Sequence, residues 1–252
     1  MRKYTFNKAE YPSVTSIIGL LDKSDALIPW AVNCAVTYID QNKEQDFEIL
    51  LQNARNEWRT IRDTAADIGK EVHNLIEQYI KQQIAGIKPK PVHHDNDKVV
   101  HGFLAFLEWE KENVDCWTMA EKPIFSEKYG YAGTLDAVVK LKTGLLYVID
   151  FKSSKGFYDG FAKQIAAYRS AILECSGKNV HIVGPYGEYN IEYPIINNID
   201  GMGILRLDKL TGEPEWKDYS KQYERKLQSF LELLEFYYAD KKRRLKNNIF
   251  VK

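Results

Sequence analysis

Apolar residues recur every three to four positions through most of the first 113 residues, then regroup into β-branched runs. Residues 1–12 read as extended chain. Ser13 is placed to cap a short helix through Leu21, which the 22–25 loop ends. The stripe Leu27, Ile28, Trp30, Ala31, Cys34, Ala35 and Ile39 predicts a helix over 27–41. Two further helices are predicted over 45–61 and 64–84, with Asp63 or Thr64 capping the second and Gly86 stopping it. A polar, proline-containing surface loop (87–96) leads to a helix over 97–113, marked by Val99, Val100, Phe103, Leu104 and Leu107. Strands are then predicted over 117–127, 131–141 and 145–152, a helix over 160–175, and shorter strands over 180–184, 190–195 and 203–208. Gly201-Met-Gly203 and residues 211–214 are turn signals. A helix over 217–245 carries Tyr223, Leu227, Phe230, Leu231, Leu234 and Tyr238 on one face. With no internal repeat and no long linker, the expectation is one α/β domain over 1–252. Its helical N-terminal half (13–113) packs on a central mixed sheet (117–208), and 217–245 closes the chain.

Two charged residues interrupt that pattern where burial is expected. Asp136 stands in Gly133-Thr-Leu-Asp136-Ala-Val-Val, and Asp150 in Tyr147-Val-Ile-Asp150-Phe-Lys152. Aspartate is a poor strand former, and a buried carboxylate needs a partner. Lys142-Thr143-Gly144 reads as a three-residue hairpin turn with glycine in the left-handed position. If Leu141 pairs with Leu145, the ladder sets Asp136 opposite Asp150. Side-chain alternation then puts Lys152 on the same face and Phe151 on the other. Carboxylates facing each other across a ladder repel. A divalent cation on oxygen ligands relieves that repulsion, and a lysine beside it suits phosphate chemistry.

Bulk properties narrow the classes. The chain has 252 residues, is 44% hydrophobic and 28% charged, and carries 35 basic and 35 acidic residues. Zero net charge argues against a non-specific DNA coat protein, not against a nuclease with a local basic channel. No apolar run approaches the ~18 residues of a membrane span, and the first residues lack a signal-peptide core. Cytoplasmic residence with no membrane association is the expectation. Cys34, Cys116 and Cys175 are scattered and odd in number, which argues against a disulfide framework.

Asp136 followed by Asp150-x-Lys152 resembles the PD-(D/E)xK nuclease superfamily. Other segments resemble its RecB-type branch: Gly69-Lys-Glu-Val-His73-Asn-Leu-Ile-Glu77 upstream, and Gln164-Ile-Ala-Ala-Tyr168 downstream. Tyr11-Pro-Ser-Val-Thr-Ser-Ile-Ile and Tyr131-Ala-Gly-Thr-Leu-Asp136 are similar to segments of phage exonucleases and the mitochondrial genome-maintenance exonuclease of that branch. The resemblance covers about residues 11–175, with its motifs in order. It implies a restriction-endonuclease-like mixed sheet flanked by helices, here with a helical N-terminal elaboration. It also implies a Mg²⁺- or Mn²⁺-dependent DNA exonuclease acting at single-stranded ends in replication, recombination or repair. The setting would be a bacterial or phage-infected cell, with a replication or recombination protein as a possible partner. Some relatives hold an iron–sulfur cluster on four cysteines; three are too few, so none is expected.

Carried onto this chain, the resemblance makes His73, Asp136, Asp150 and the Phe151 carbonyl the metal ligands, with Glu121 a further candidate. Lys152 would be the catalytic lysine. Gln164 and Tyr168 would orient it and contact the DNA backbone. Ser153, Ser154 and Lys155, continuing the same strand, are placed to meet phosphate oxygens. Plainer readings stand beside these. His73 sits at the edge of the core stripe Ile68, Val72, Leu75, Ile76, Tyr79, where histidines usually serve packing. Tyr168 fits the stripe Phe161, Ile165, Ile172 equally well, and Glu121 fits an exposed strand. Gly69 would allow a close helix approach. The same acids would serve a structure-specific endonuclease, and a non-catalytic DNA-binding subunit is the alternative outside enzymes.

Overall fold

The computed structural model describes residues 3–89 and 92–249, so Lys90 and Pro91 of the 87–96 loop lie outside the described residues. The chain opens on a hairpin of β1 (Lys3–Phe6) and β2 (Ala9–Pro12). Asn7 and Lys8 both take positive φ, as a two-residue type I′ turn requires. Ser13 caps α1 (Val14–Ile18), its hydroxyl accepting from the Ser16 N–H. Next come α2 (Ser24–Gln41), α3 (Phe47–Ile84) and α4 (Asp97–Asn113). Strands β3 (Val114–Ser126), β4 (Tyr131–Leu141) and β5 (Leu146–Lys152) lead into α5 (Asp159–Cys175). A hairpin of β6 (Asn179–Gly184) and β7 (Gly187–Glu192) precedes β8 (Gly201–Leu207) and β9 (Pro214–Asp218). Then α6 (Tyr223–Ile249) ends the described chain.

The central sheet runs β3-β4-β5-β8-β9. Only β5 and β8 pair in parallel, joined by a crossover through α5. The architecture is α/β with a mixed five-stranded sheet and helices on both faces. Alternation along β5 shows why the sheet is sandwiched. Val148 belongs to the core shared with α1, α5 and α6, while Ile149 and Phe151 belong to the core shared with α3 and α4. Fully burying such a side chain contributes about 1.5–3 kcal/mol. On the α3–α4 side, Phe106 meets both Trp117 and Phe151, which anchors the strand that carries Asp150. Among the described residues, no helix is long and apolar enough to cross a membrane.

Four features depart from the sequence reading. The helices expected over 45–61 and 64–84 are one continuous helix, Phe47–Ile84. Asp63 and Thr64 can cap a helix only where the chain leaves helical dihedrals, and no glycine or proline lies between Phe47 and Ile68 to break it there. Asp63 pairs instead with Arg62 at 2.8 Å. Second, the strands form two sheets: β1 and β2 join β6 and β7 in the order β2-β1-β6-β7. Third, β9 occupies residues read as a turn and the start of a helix. It is a short edge strand opening on Pro214, where a missing N–H is tolerated. Fourth, the stripe on α2 is largely exposed: Leu27 and Ile28 face solvent, and only Cys34 is buried.

Candidate metal and active site

The β4–β5 hairpin forms in the expected register. Leu141 N–H donates to Leu145 O at 2.9 Å, Gly144 has φ +84°, and pairs run from Lys140↔Leu146 to Ala137↔Ile149. One step further the same register would set Asp136 opposite Asp150, but the ladder ends at Ala137↔Ile149 and the side chain takes over: Phe151 N–H donates to Asp136 Oδ2 at 2.8 Å. Across the other edge of β4, Ala120↔Ala137 and Lys122↔Leu135 bracket Glu121 opposite Asp136. Glu121 has φ +46°, the left-handed region that costs a residue with a Cβ of order 1 kcal/mol or more. Three carboxylates, Glu121, Asp136 and Asp150, thus stand in a row across three strands.

His73 approaches this row from α3, its Nδ1 3.7 Å from Asp136 Oδ2. His73, Glu121 and Asp136 each offer a ligand atom, all within 4.8 Å of one another. Asp150 is 0% exposed and stands apart from that trio. Its Oδ1 accepts from Gln164 Nε2 at 3.1 Å. Its Oδ2 is ion-paired with Lys152 Nζ at 2.5 Å. The Phe151 backbone is hydrogen-bonded to the His73 ring.

Burial dominates the electrostatics. It pushes Asp150 up to about 6, against the opposing pull of Lys152. Asp136 is raised for the same reason, although Lys152 and the Phe151 N–H favour its anion. Glu121 is pushed up to about 9 by burial, then by Asp136 and Glu77. His73 is lowered to about 4 by burial and by Lys152, so its imidazole is neutral at pH 7. Burial alone would lower Lys152; the Asp150 and Asp136 carboxylates outweigh it and raise its pKa. Burial and mutual repulsion thus favour the protonated form of these carboxylates, most of all of Glu121, beside an imidazole in its neutral, ligating form. The donor trio of two carboxylates and one imidazole fits a small divalent ion.

The remaining expected residues surround this centre. Gln164 and Tyr168 are both buried, and the Gln164 amide donates to Asp150 and to the Tyr168 hydroxyl at 3.2 Å. Gly133 makes room for that ring: a Cβ there would lie 2.7 Å from Tyr168 Cε1. Gly69 lets α3 pass over the strand end, since a Cβ would lie 2.7 Å from Ser153 Oγ. Glu77 is close enough to act on both Glu121 and His73, and pairs with Lys81. Ser154 donates to Gly156 O at 2.9 Å, and Lys155 is exposed. Arg206 escaped the sequence reading. Buried in β8, it holds Glu215 and Asp208, and donates to Ser154 O at 3.3 Å, which fixes the loop after Lys152. The signal was present: a lone charge inside Ile204-Leu-Arg-Leu, as with Asp150 in its own apolar run.

No protein-family model matches the chain, and no curated protein matches it.

Proposed function

We propose that this chain is a divalent-metal-dependent deoxyribonuclease with a restriction-endonuclease-like core, acting as an exonuclease at single-stranded DNA ends. One observation carries the reading: Glu121, Asp136 and Asp150 stand in a row, faced by neutral His73, and the row ends at Lys152. A buried cluster of like charge costs stability, and a metal-assisted hydrolase is the function that gives it a use. The preference for DNA and for ends rests on the RecB-type resemblance of the motifs around these residues.

His73, Glu121 and Asp136 would hold the ion, with Asp150 completing its surroundings. Mg²⁺ or Mn²⁺ supplies Lewis-acid polarisation of a phosphate oxygen and makes water more acidic. Lys152, held by Asp150 and kept protonated by both aspartates, donates to the oxygen on which negative charge builds. Gln164 fixes Asp150, and Tyr168 fixes Gln164, so the lysine is aimed by a buried chain of contacts. Arg206 holds the loop beyond Lys152, which steadies the strand end against the substrate.

Turnover of labelled linear and circular single strands, with Mn²⁺ or with EDTA, tests the reading. Cleavage of the linear strand alone, lost in EDTA, is expected. Cleavage of circles would make the chain an endonuclease. Absence of cleavage on both, with DNA bound, would make it a non-catalytic subunit.

A further inference from the structure

The first turn of α5 carries a charge cluster that the reaction does not use. Lys163 and Lys226, from α5 and α6, both close on one carboxylate, Asp159. The lysine side chains are only 11% and 12% exposed, whereas that of Asp159 is 58% exposed. Beside them, exposed Lys217 of β9 lies with its ammonium 5.2 Å from the Phe157 ring. Phe161, between Asp159 and Lys163 on α5, lies 5.0 Å from Lys152 Nζ. Phe161 and the Asp159–Lys163 pair lie on different sides of the first turn of α5, so Lys152 and the cluster flank that turn.

Its charges do not balance. Two ammonium groups share one carboxylate with Lys217 close to Lys226, and each of the two less exposed lysines is disfavoured by burial and by neighbouring cations. Asp159 is what keeps Lys163 and Lys226 converged. A phosphodiester carries the same single charge as a carboxylate and also presents two acceptor oxygens. It can take the place of Asp159 between the two lysines, with Lys217 on the exposed side.

We infer that Lys163, Lys226 and Lys217 bind a backbone phosphate of the strand held at Lys152, and that Asp159 is the resident anion this phosphate displaces. The inference rests on the proposed nuclease reading for the identity of that strand. It places a stretch of bound backbone along the start of α5, and it makes Asp159 a brake on affinity.

The test is the anisotropy of a labelled oligothymidylate in Ca²⁺, titrated at several salt concentrations, with the thermal midpoint of each variant recorded. Asp159→Asn frees two cations. It should tighten binding about three-fold or more and steepen the salt dependence. The double variant Lys163→Gln/Lys226→Gln should weaken binding about ten-fold and flatten that dependence by roughly one unit of slope. Lys217→Gln, at an exposed position, should weaken it about two- to three-fold and serves if the double variant does not fold. Unchanged or weaker binding by a folded Asp159→Asn would overturn the inference, as would lysine variants that bind like wild type. Inorganic phosphate is the second arm. A midpoint raised by phosphate and abolished in the lysine variants, with oligonucleotide affinity untouched, would make this a free-phosphate site and overturn the strand assignment. Wild type that binds in the expected pattern but never cleaves would refute the nuclease reading and leave this surface standing. Wild type that cleaves while all variants bind alike would do the reverse.

Discussion

The two ends of α3 invert each other's chemistry. Its C-terminal half packs on the sheet with Ile68, Val72, Ile76 and Ile80 buried, and there it brings His73 to the charged row of Glu121, Asp136 and buried Asp150. Its N-terminal half pairs with α2 in an arm whose outside is apolar, with Leu27, Ile28, Val32, Val36, Phe47 and Ile49 exposed. From Arg59 to Asp67, between the two, every residue is exposed. One continuous helix thus joins a region where a polar cluster is held by packing to a region where packing is thin. Buried charge is tolerated only where surrounding elements are well anchored, since an unpaired group costs several kcal/mol. The sheet end has that anchoring, and the arm does not.

The largest expected effect breaks the chemistry without breaking the fold. Lys152→Ala should lower cleavage on the order of 10³-fold or more, while affinity for DNA in Ca²⁺ stays within a few-fold. Parallel loss of binding and cleavage would make Lys152 an anchor instead.

Packing substitutions sharpen the contrast between the regions. Gly133→Ala drives a methyl into the Tyr168 ring and should destabilise the protein by about 1–3 kcal/mol in urea unfolding. Val32→Ala on the arm should change stability by no more than about 0.5 kcal/mol. Equal costs at the two sites would remove the distinction. Hydrogen exchange should agree, with α2 amides exchanging well before those of β4 and β5.

A smaller effect concerns pH in the absence of metal. Glu121, raised to about 9, binds a proton in the folded state that the unfolded chain has released by neutral pH, so stability falls as pH rises towards 9. Asp150, raised to about 6, acts in the same sense at lower pH. His73, lowered to about 4, acts oppositely between pH 4 and 6.5 and is silent above. From pH 6.5 to 9 the fall therefore comes from the raised carboxylates, Glu121 together with Asp136. In EDTA the thermal midpoint should fall across that window, and Glu121→Gln should flatten the fall. An equal slope in the variant would remove Glu121 from the cluster.

Much of this was legible in the sequence because local chemistry decides it. The Lys142-Thr143-Gly144 turn set the hairpin register, and alternation then placed Asp136, Asp150 and Lys152 together. Gln164 stands polar beside Ile165 and Ala166 in the sequence, and in the structure it is bonded to Asp150. What was hidden depends on contacts distant in sequence. The second sheet joins residue 5 to residue 183, a pairing that no local pattern announces. The trio of His73, Glu121 and Asp136 depends on the positive φ at Glu121, which its sequence neighbours do not dictate. Asp159 carries no signal of its own in the sequence, and only the arrival of α6 shows that it holds two lysines.

The central claim is that the trio binds a divalent ion, and anomalous scattering from crystals grown with Mn²⁺ tests it most directly. The account predicts a manganese peak at bonding distance, about 2.0–2.4 Å, from a His73 ring nitrogen and from carboxylate oxygens of Asp136 and Glu121. A peak elsewhere, or an ordered site with no peak while His73 stays packed against Phe151, would contradict it.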